Sequence, residues 1–133
     1  MAVRTLDDVA LADQRVLVRE DLNVPLKDGV VGDEARLRAA LPTLQRLLDA
    51  GARVMVMSHL GRPRSGSFDP EASMAPVARR LGELLGRDVP VVRDWLETDP
   101  APAAGELVLC ENVRFNAGET ENDEDLSRRM AAL

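Results

Sequence analysis

The chain has 133 residues, enough for one domain with a real core, and it is 45% apolar and 30% charged, the balance of a soluble globular protein. Acidic residues outnumber basic ones 23 to 17, a net charge of −6, which argues against nonspecific nucleic-acid or anionic-membrane binding because both need a basic surface. The single Cys110 excludes an internal disulfide, no apolar run approaches the ~20 residues of a membrane span, and 2% aromatic content offers no stacking platform for bases or sugars.

The N-terminal segment Met1–Asp8 carries acids and no hydrophobic region, so no signal peptide is predicted, and the cytoplasm is the default compartment. Strand one is expected over 15–18, an apolar stretch of the kind buried on both faces in a parallel sheet. Lys27-Asp28-Gly29 reads as a turn. A helix follows from about Glu34 to Ala50, with Asp33 as N-cap and Gly51 just past its end. Leu37, Leu41, Leu44 and Leu48 form its buried stripe, and Pro42 removes one donor and is expected to bend it.

Strand two is expected over 53–57, followed by a Pro-, Gly- and Ser-rich loop over 60–72 that is flexible by composition. The second helix runs from about Ala72 to Leu85 and stops at Gly86, with Met74, Val77, Leu81 and Leu84 inward. Strand three covers 89–92 and strand four 106–110, with a Pro-rich loop over 99–102 between them. A last helix starts near Asp123 and carries Leu126, Met130 and Leu133 on one face. The alternation predicts an α/β fold: a three-layer α/β/α, doubly wound, Rossmann-like parallel sheet with right-handed crossovers, stopping after about four strands.

Three of these strands run straight into polar residues suited to an anion. Val16–Val18 leads into Arg19-Glu20-Asp21-Leu22-Asn23-Val24-Pro25, Val54–Met57 into Ser58-His59-Leu60-Gly61-Arg62-Pro63, and Leu107–Cys110 into Glu111-Asn112-Val113-Arg114-Phe115. Open parallel sheets bind ligands beyond the carboxyl ends of their strands. Each residue also has a plainer reading. His59 alone is more often a hydrogen-bonded loop residue, Arg62 a solvated charge, Arg114 a partner of Glu111 or Glu119, and Asp21 and Asn23 turn formers before Pro25.

Arg36 stands in the first turn of its helix, where a cation opposes the macrodipole. No phosphate-loop or dinucleotide fingerprint is present, nor any zinc-type Cys/His spacing or nucleophile elbow. Taken together, Arg36, His59, Arg62 and Arg114, with Asp21 and Asn23 beside them, predict a pocket for a small phosphorylated, hydroxylated acid. Gly61 would let the backbone approach it, and the guanidinium forks would bind its oxyanions.

These motifs resemble those of phosphoglycerate kinase: Arg15–Arg19 through Asp21–Pro25 its first, Ser58–Pro63 its second, Glu111–Phe115 its third, and Asp33–Ala39 the helix start carrying the family's catalytic arginine. The order and spacing agree along the chain, although Leu22 stands where the family often has Phe and Glu20 and Cys110 lie at variable positions. The resemblance implies phosphoryl transfer between 1,3-bisphosphoglycerate and ADP, giving 3-phosphoglycerate and ATP. By motif, the substrate-binding positions are Asp21, Leu22, Asn23, Arg36, His59, Leu60, Gly61, Arg62 and Arg114, with Arg36 catalytic. His59, Arg62 and Arg114 would grip the non-transferred phosphate, Asp21 and Asn23 the hydroxyl and carboxyl end, and Arg36 the transferring phosphoryl.

It further implies that residues 1–133 are an incomplete N-terminal domain, ending before a fifth strand and another phosphate-binding arginine, with Mg-ATP or Mg-ADP held by an absent C-terminal domain. No cofactor or metal site is then expected in this chain, which would be inactive alone. The full-length enzyme would be a monomer. The family's strand order leaves strand one as an edge, so the fragment is expected to self-associate through it or by exchanging its last helix. The competing expectations are a non-catalytic small-anion-binding module and a fragment that only complements the rest of the enzyme.

Overall fold

Val54, Met55 and Val56 are completely buried in the middle of a four-stranded parallel sheet. The computed structural model describes residues 3–133; Met1 and Ala2, the start of the segment read as lacking a leader, lie outside them. The strands of this sheet are β1 (Arg15–Arg19), β4 (Arg53–Met57), β5 (Val91–Val92) and β6 (Leu107–Cys110), in the order β1-β4-β6-β5 and parallel throughout. Arg19 pairs with Met57 and Val56 with Leu109, so the carboxyl ends of β1, β4 and β6 finish side by side.

Alternation along the strands builds two apolar layers, because successive side chains point to opposite faces. Val54, Val56, Leu107 and Leu109 face helices α1 (Ala35–Asp49) and α2 (Ala75–Leu85), meeting Leu37, Leu44, Leu47, Val77 and Leu81. Met55, Val108 and Cys110 face the other way, onto Trp95, Val113 and the Met130 and Leu133 end of α3 (Glu124–Ala131). The predicted three-layer α/β/α architecture is present. Burial drives the Cys110 thiol up to about 12, so it is an inert core group.

Several local expectations change. β1 is half-exposed at Val16, Leu17 and Val18, not buried on both faces, because among the described residues it pairs with β4 alone and forms the sheet edge. Strand three shrinks from 89–92 to Val91–Val92; Pro90 has no N–H to give a ladder and only accepts, from Leu109 N at 2.8 Å. Strand four begins at Leu107. Lys27-Asp28-Gly29 is the tip of a small hairpin, β2 (Leu26–Lys27) with β3 (Val30–Val31), whose turn has φ +52° at Asp28 and +74° at Gly29. Positive φ at both central residues is what a tight hairpin turn needs.

α1 passes unbroken through Pro42. Its buried stripe is Leu37, Ala40, Leu44, Leu47 and Leu48, with Leu41 only half-buried. Asp33 is one residue further out than a cap: its Oδ1 accepts Ala35 N at 3.0 Å while Glu34 takes the N-cap position. Glu34 is occupied elsewhere, with Arg80 at 2.6 Å and Arg38 at 2.5 Å, and these hydrogen bonds hold its carboxyl down to about 2. The second helix begins at Ala75, not Ala72: Pro70–Ala72 is a separate 3-10 turn, and Pro76 sits where a helix tolerates it. Gly86 ends α2 at φ +69°.

Candidate functional site

The ends of the strands are held by buried polar groups, so the loops beyond them are fixed in place. Ser58, completely buried after β4, accepts Leu22 N at 3.0 Å through Oγ, and its carbonyl accepts Val113 N at 2.9 Å. Asn112 donates through Nδ2 to Leu60 O at 2.8 Å and Ala72 O at 2.9 Å, and its Oδ1 accepts Arg114 N at 3.0 Å. Glu111 points inward, accepting Met74 N at 2.6 Å, Asn112 N at 3.0 Å and the Ser73 hydroxyl at 2.7 Å. A carboxylate at the first turn of α2 also complements the helix dipole. Of the two partners proposed for Arg114, Glu111 is therefore excluded by geometry.

On this base stand two groups of candidate side chains. In the first, Arg36 reaches from the start of α1 to donate to the Asn23 carbonyl and, at 3.4 Å, to Asp21 Oδ1. Asp21 Oδ1 also accepts Asn23 N at 3.2 Å, the local turn expected of an Asp before Pro25. A 220 Å³ cavity lies against Arg36, Asn23, Val24, Pro25, Asp33 and Ala35. A 420 Å³ cavity adjoins it, lined in part by Asn23, Pro25, Leu60, Gly61 and Glu71. A larger one of 590 Å³ lies at the far end of α2, beside Gly82, Arg87 and Pro90, and contains none of the candidate residues.

The second group surrounds His59. Arg114 and Arg19 both act on this half-buried imidazole, whose pKa lies below its ordinary value, first through burial and then through those two charges. Glu119 and Asp21 pull the other way without cancelling them. Glu119 is paired to both arginines, with Arg19 Nη2 at 2.8 Å and Arg114 Nε at 3.4 Å.

Gly61 joins the two groups. Its amide donates to Asn23 Oδ1 at 3.0 Å and its carbonyl accepts from Arg114 Nη1 at 3.4 Å. Gly61 has φ +62°, a backbone conformation that glycine adopts without strain. Arg62, next along, is exposed and makes no ion pair or side-chain hydrogen bond among the described residues. Leu22 and Leu60 are core residues, 0% and 4% exposed, and their side chains face away from solvent.

The loop over 60–72, expected to be flexible, is fastened in its middle as well as at its ends. Gly66 N donates to Phe115 O at 2.8 Å, and the Phe68 ring stacks edge-on against Phe115 at 5.4 Å with the Arg93 guanidinium 3.8 Å from its centroid. Sequence reasoning missed Arg19 as a member of the site and named Glu119 only as a plain partner for Arg114, a pairing the structure contains. Arg19 was visible as the last residue of strand one, beside the motif; Glu119 lies 100 residues from it, and nothing in the local pattern of either marks their contact.

The arrangement gathers guanidinium and imidazole groups with an Asp and an Asn at the ends of three parallel strands. It can orient a small polyanion; among the described residues no group of three or more His, Cys, Asp or Glu is placed to hold a metal ion. No described helix is long and apolar enough to cross a membrane.

A sequence model of the phosphoglycerate kinase family matches residues 6–133. The structure superposes on phosphoglycerate kinase from Coxiella burnetii with a TM-score of 0.92 at 49% identity, covering 96% of this chain and 32% of that one. Against the enzyme from Pyrococcus horikoshii the TM-score is 0.75 at 35% identity, covering 86% of this chain and 29% of that one. The chain thus spans about a third of the length of these solved relatives. With that model matching nearly the whole chain and these structures superposing on it, the chain belongs to the phosphoglycerate kinase family.

Proposed function

We propose that this chain supplies the phosphoglycerate-binding side of a phosphoglycerate kinase, which moves a phosphoryl group between 1,3-bisphosphoglycerate and ADP. His59, Arg62 and Arg114 hold the non-transferred phosphate, since forked and charged donors bind oxyanions best. Asp21 and Asn23 take the hydroxyl and carboxyl end. Arg36, at the start of α1, faces the transferring phosphoryl and stabilises the charge that builds on it. The protein's work is positioning and electrostatics, with no covalent intermediate on the chain.

The observation that carries this reading is the double attachment of Gly61, to Asn23 Oδ1 and to Arg114 Nη1, which puts both groups around one loop. The nucleotide, as its magnesium complex, supplies the phosphoryl donor or acceptor; the family resemblance assigns it to the part of those enzymes that this chain does not span. On that assignment the 133-residue chain alone gives background turnover with MgADP. Its open β1 edge favours self-association, read by sedimentation and relieved by Leu17→Lys.

The experiment that tests this is an amide NMR titration with 3-phosphoglycerate. Shifts confined to the loops after β1, β4 and β6 and the start of α1 are expected. Perturbation centred instead on the cavity beside Gly82 and Arg87, or none, would overturn the assignment.

A further inference from the structure

The loop over 116–123 is set with unusual tightness for a surface connection. Gly118 has φ +94°, and a Cβ there would fall 2.6 Å from Asp123 Cβ, so only glycine fits. Asp123 N closes the loop onto Gly118 O at 3.0 Å, and Asp123 Oδ1 then caps α3 through Leu126 N at 2.9 Å. The consequence is a fixed place for Glu119, whose side chain is only 9% exposed. A carboxylate that buried must be paired.

Its partners are the two arginines whose charges act on His59, one from β1 and one from the loop after β6. Oε1 accepts from Arg19 Nη2 at 2.8 Å, a short charge-assisted bond. Oε2 lies 3.4 Å from Arg114 Nε, and both of these atoms are buried without a hydrogen bond. Among the described residues Arg114 otherwise makes one long side-chain contact, Nη1 to Gly61 O at 3.4 Å. Its guanidinium is therefore under-bonded: Glu119 claims the Nε side, and the Nη side is turned toward Gly61.

We propose that Glu119 is a positioning residue of the anion site. It holds Arg114 by the Nε side so that its Nη groups face the ligand's phosphate, and it neutralises the repulsion between Arg114 and Arg19 that would otherwise splay them. This rests on the phosphoglycerate-binding reading above and extends it to a residue outside the family-type motifs. A carboxylate that merely competed with the ligand would do the reverse, and its removal would tighten binding.

The test is Glu119→Gln, close in shape but uncharged, with Glu119→Asp as a second variant that keeps the charge and loses reach. Each is titrated with 3-phosphoglycerate, alone and combined with Arg114→Ala. Glu119→Gln should weaken binding roughly 10-fold. In the Arg114→Ala background the same change should alter affinity by less than about 2-fold, because the effect passes through Arg114. Equal losses in both backgrounds, unchanged affinity or tighter binding would overturn the proposal.

The Arg114 Nε–Hε NMR signal gives a reading independent of ligand. It should be sharp in the parent and broadened by solvent exchange in both Glu119 variants. If the parent binds no 3-phosphoglycerate but this broadening appears, the substrate assignment falls and the placement of Arg114 by Glu119 stands. An unchanged Arg114 signal would end it.

Discussion

The Asn23 side-chain oxygen accepts the Gly61 amide at 3.0 Å, fastening the loop after β1 to the loop after β4 across 38 residues of sequence. Asn23→Ala removes that acceptor and leaves the Arg36 contact, which goes to the Asn23 carbonyl. The expected result is a loss of about 1 kcal/mol of stability. Hydrogen exchange at the Gly61 amide should quicken in the variant; unchanged protection there would mean the two loops are held by something else.

Glu111 anchors the third motif from below, with three acceptor contacts to Met74, Ser73 and Asn112. Glu111→Ala strands those buried donors and should cost about 3 kcal/mol or more. Urea unfolding measures it. A cost under about 1 kcal/mol would show that water or a neighbour replaces the carboxylate.

Much of this organisation is legible in the chain itself. Apolar runs mark β1, β4 and β6 because strands buried between helices need unbroken hydrophobic residues, and the polar motifs follow where such strands end. Periodicity is silent about neighbours. It cannot tell that β1 lacks a second partner, so Val16 and Val18 looked as buried as Val54 and Val56. Nor can it place Glu119 between Arg19 and Arg114, since that contact depends on how the loop closes at Gly118. The start of α1 was displaced by competition: Glu34 is drawn to Arg80 on α2, so Asp33 is left to make the local backbone bond.

His59 is the only histidine, so its ring signals identify themselves. Burial, then Arg114 and Arg19, keep it neutral in the folded protein to lower pH than in the unfolded chain. The unfolded chain therefore takes up the proton first as pH falls. Stability from the neutral ring is present above about 6.5 and declines as pH drops below that toward the lower folded value. The titration midpoint should lie below about 6.5 and rise when 3-phosphoglycerate binds, since an anion favours the charged ring. A midpoint unmoved by ligand would place the phosphate away from His59.

Arg62 offers the most direct test of the phosphoglycerate assignment, because it is exposed and has no ion-pair partner among the described residues, so removing it disturbs little of the fold. Calorimetric titration of 3-phosphoglycerate into the parent chain and into Arg62→Ala, with thermal melts alongside, separates ligand binding from stability. The account predicts measurable binding by the parent, roughly 10-fold weaker binding by Arg62→Ala, and melting curves that coincide. Equal affinities for the two proteins would contradict it, leaving Arg62 a solvated surface charge.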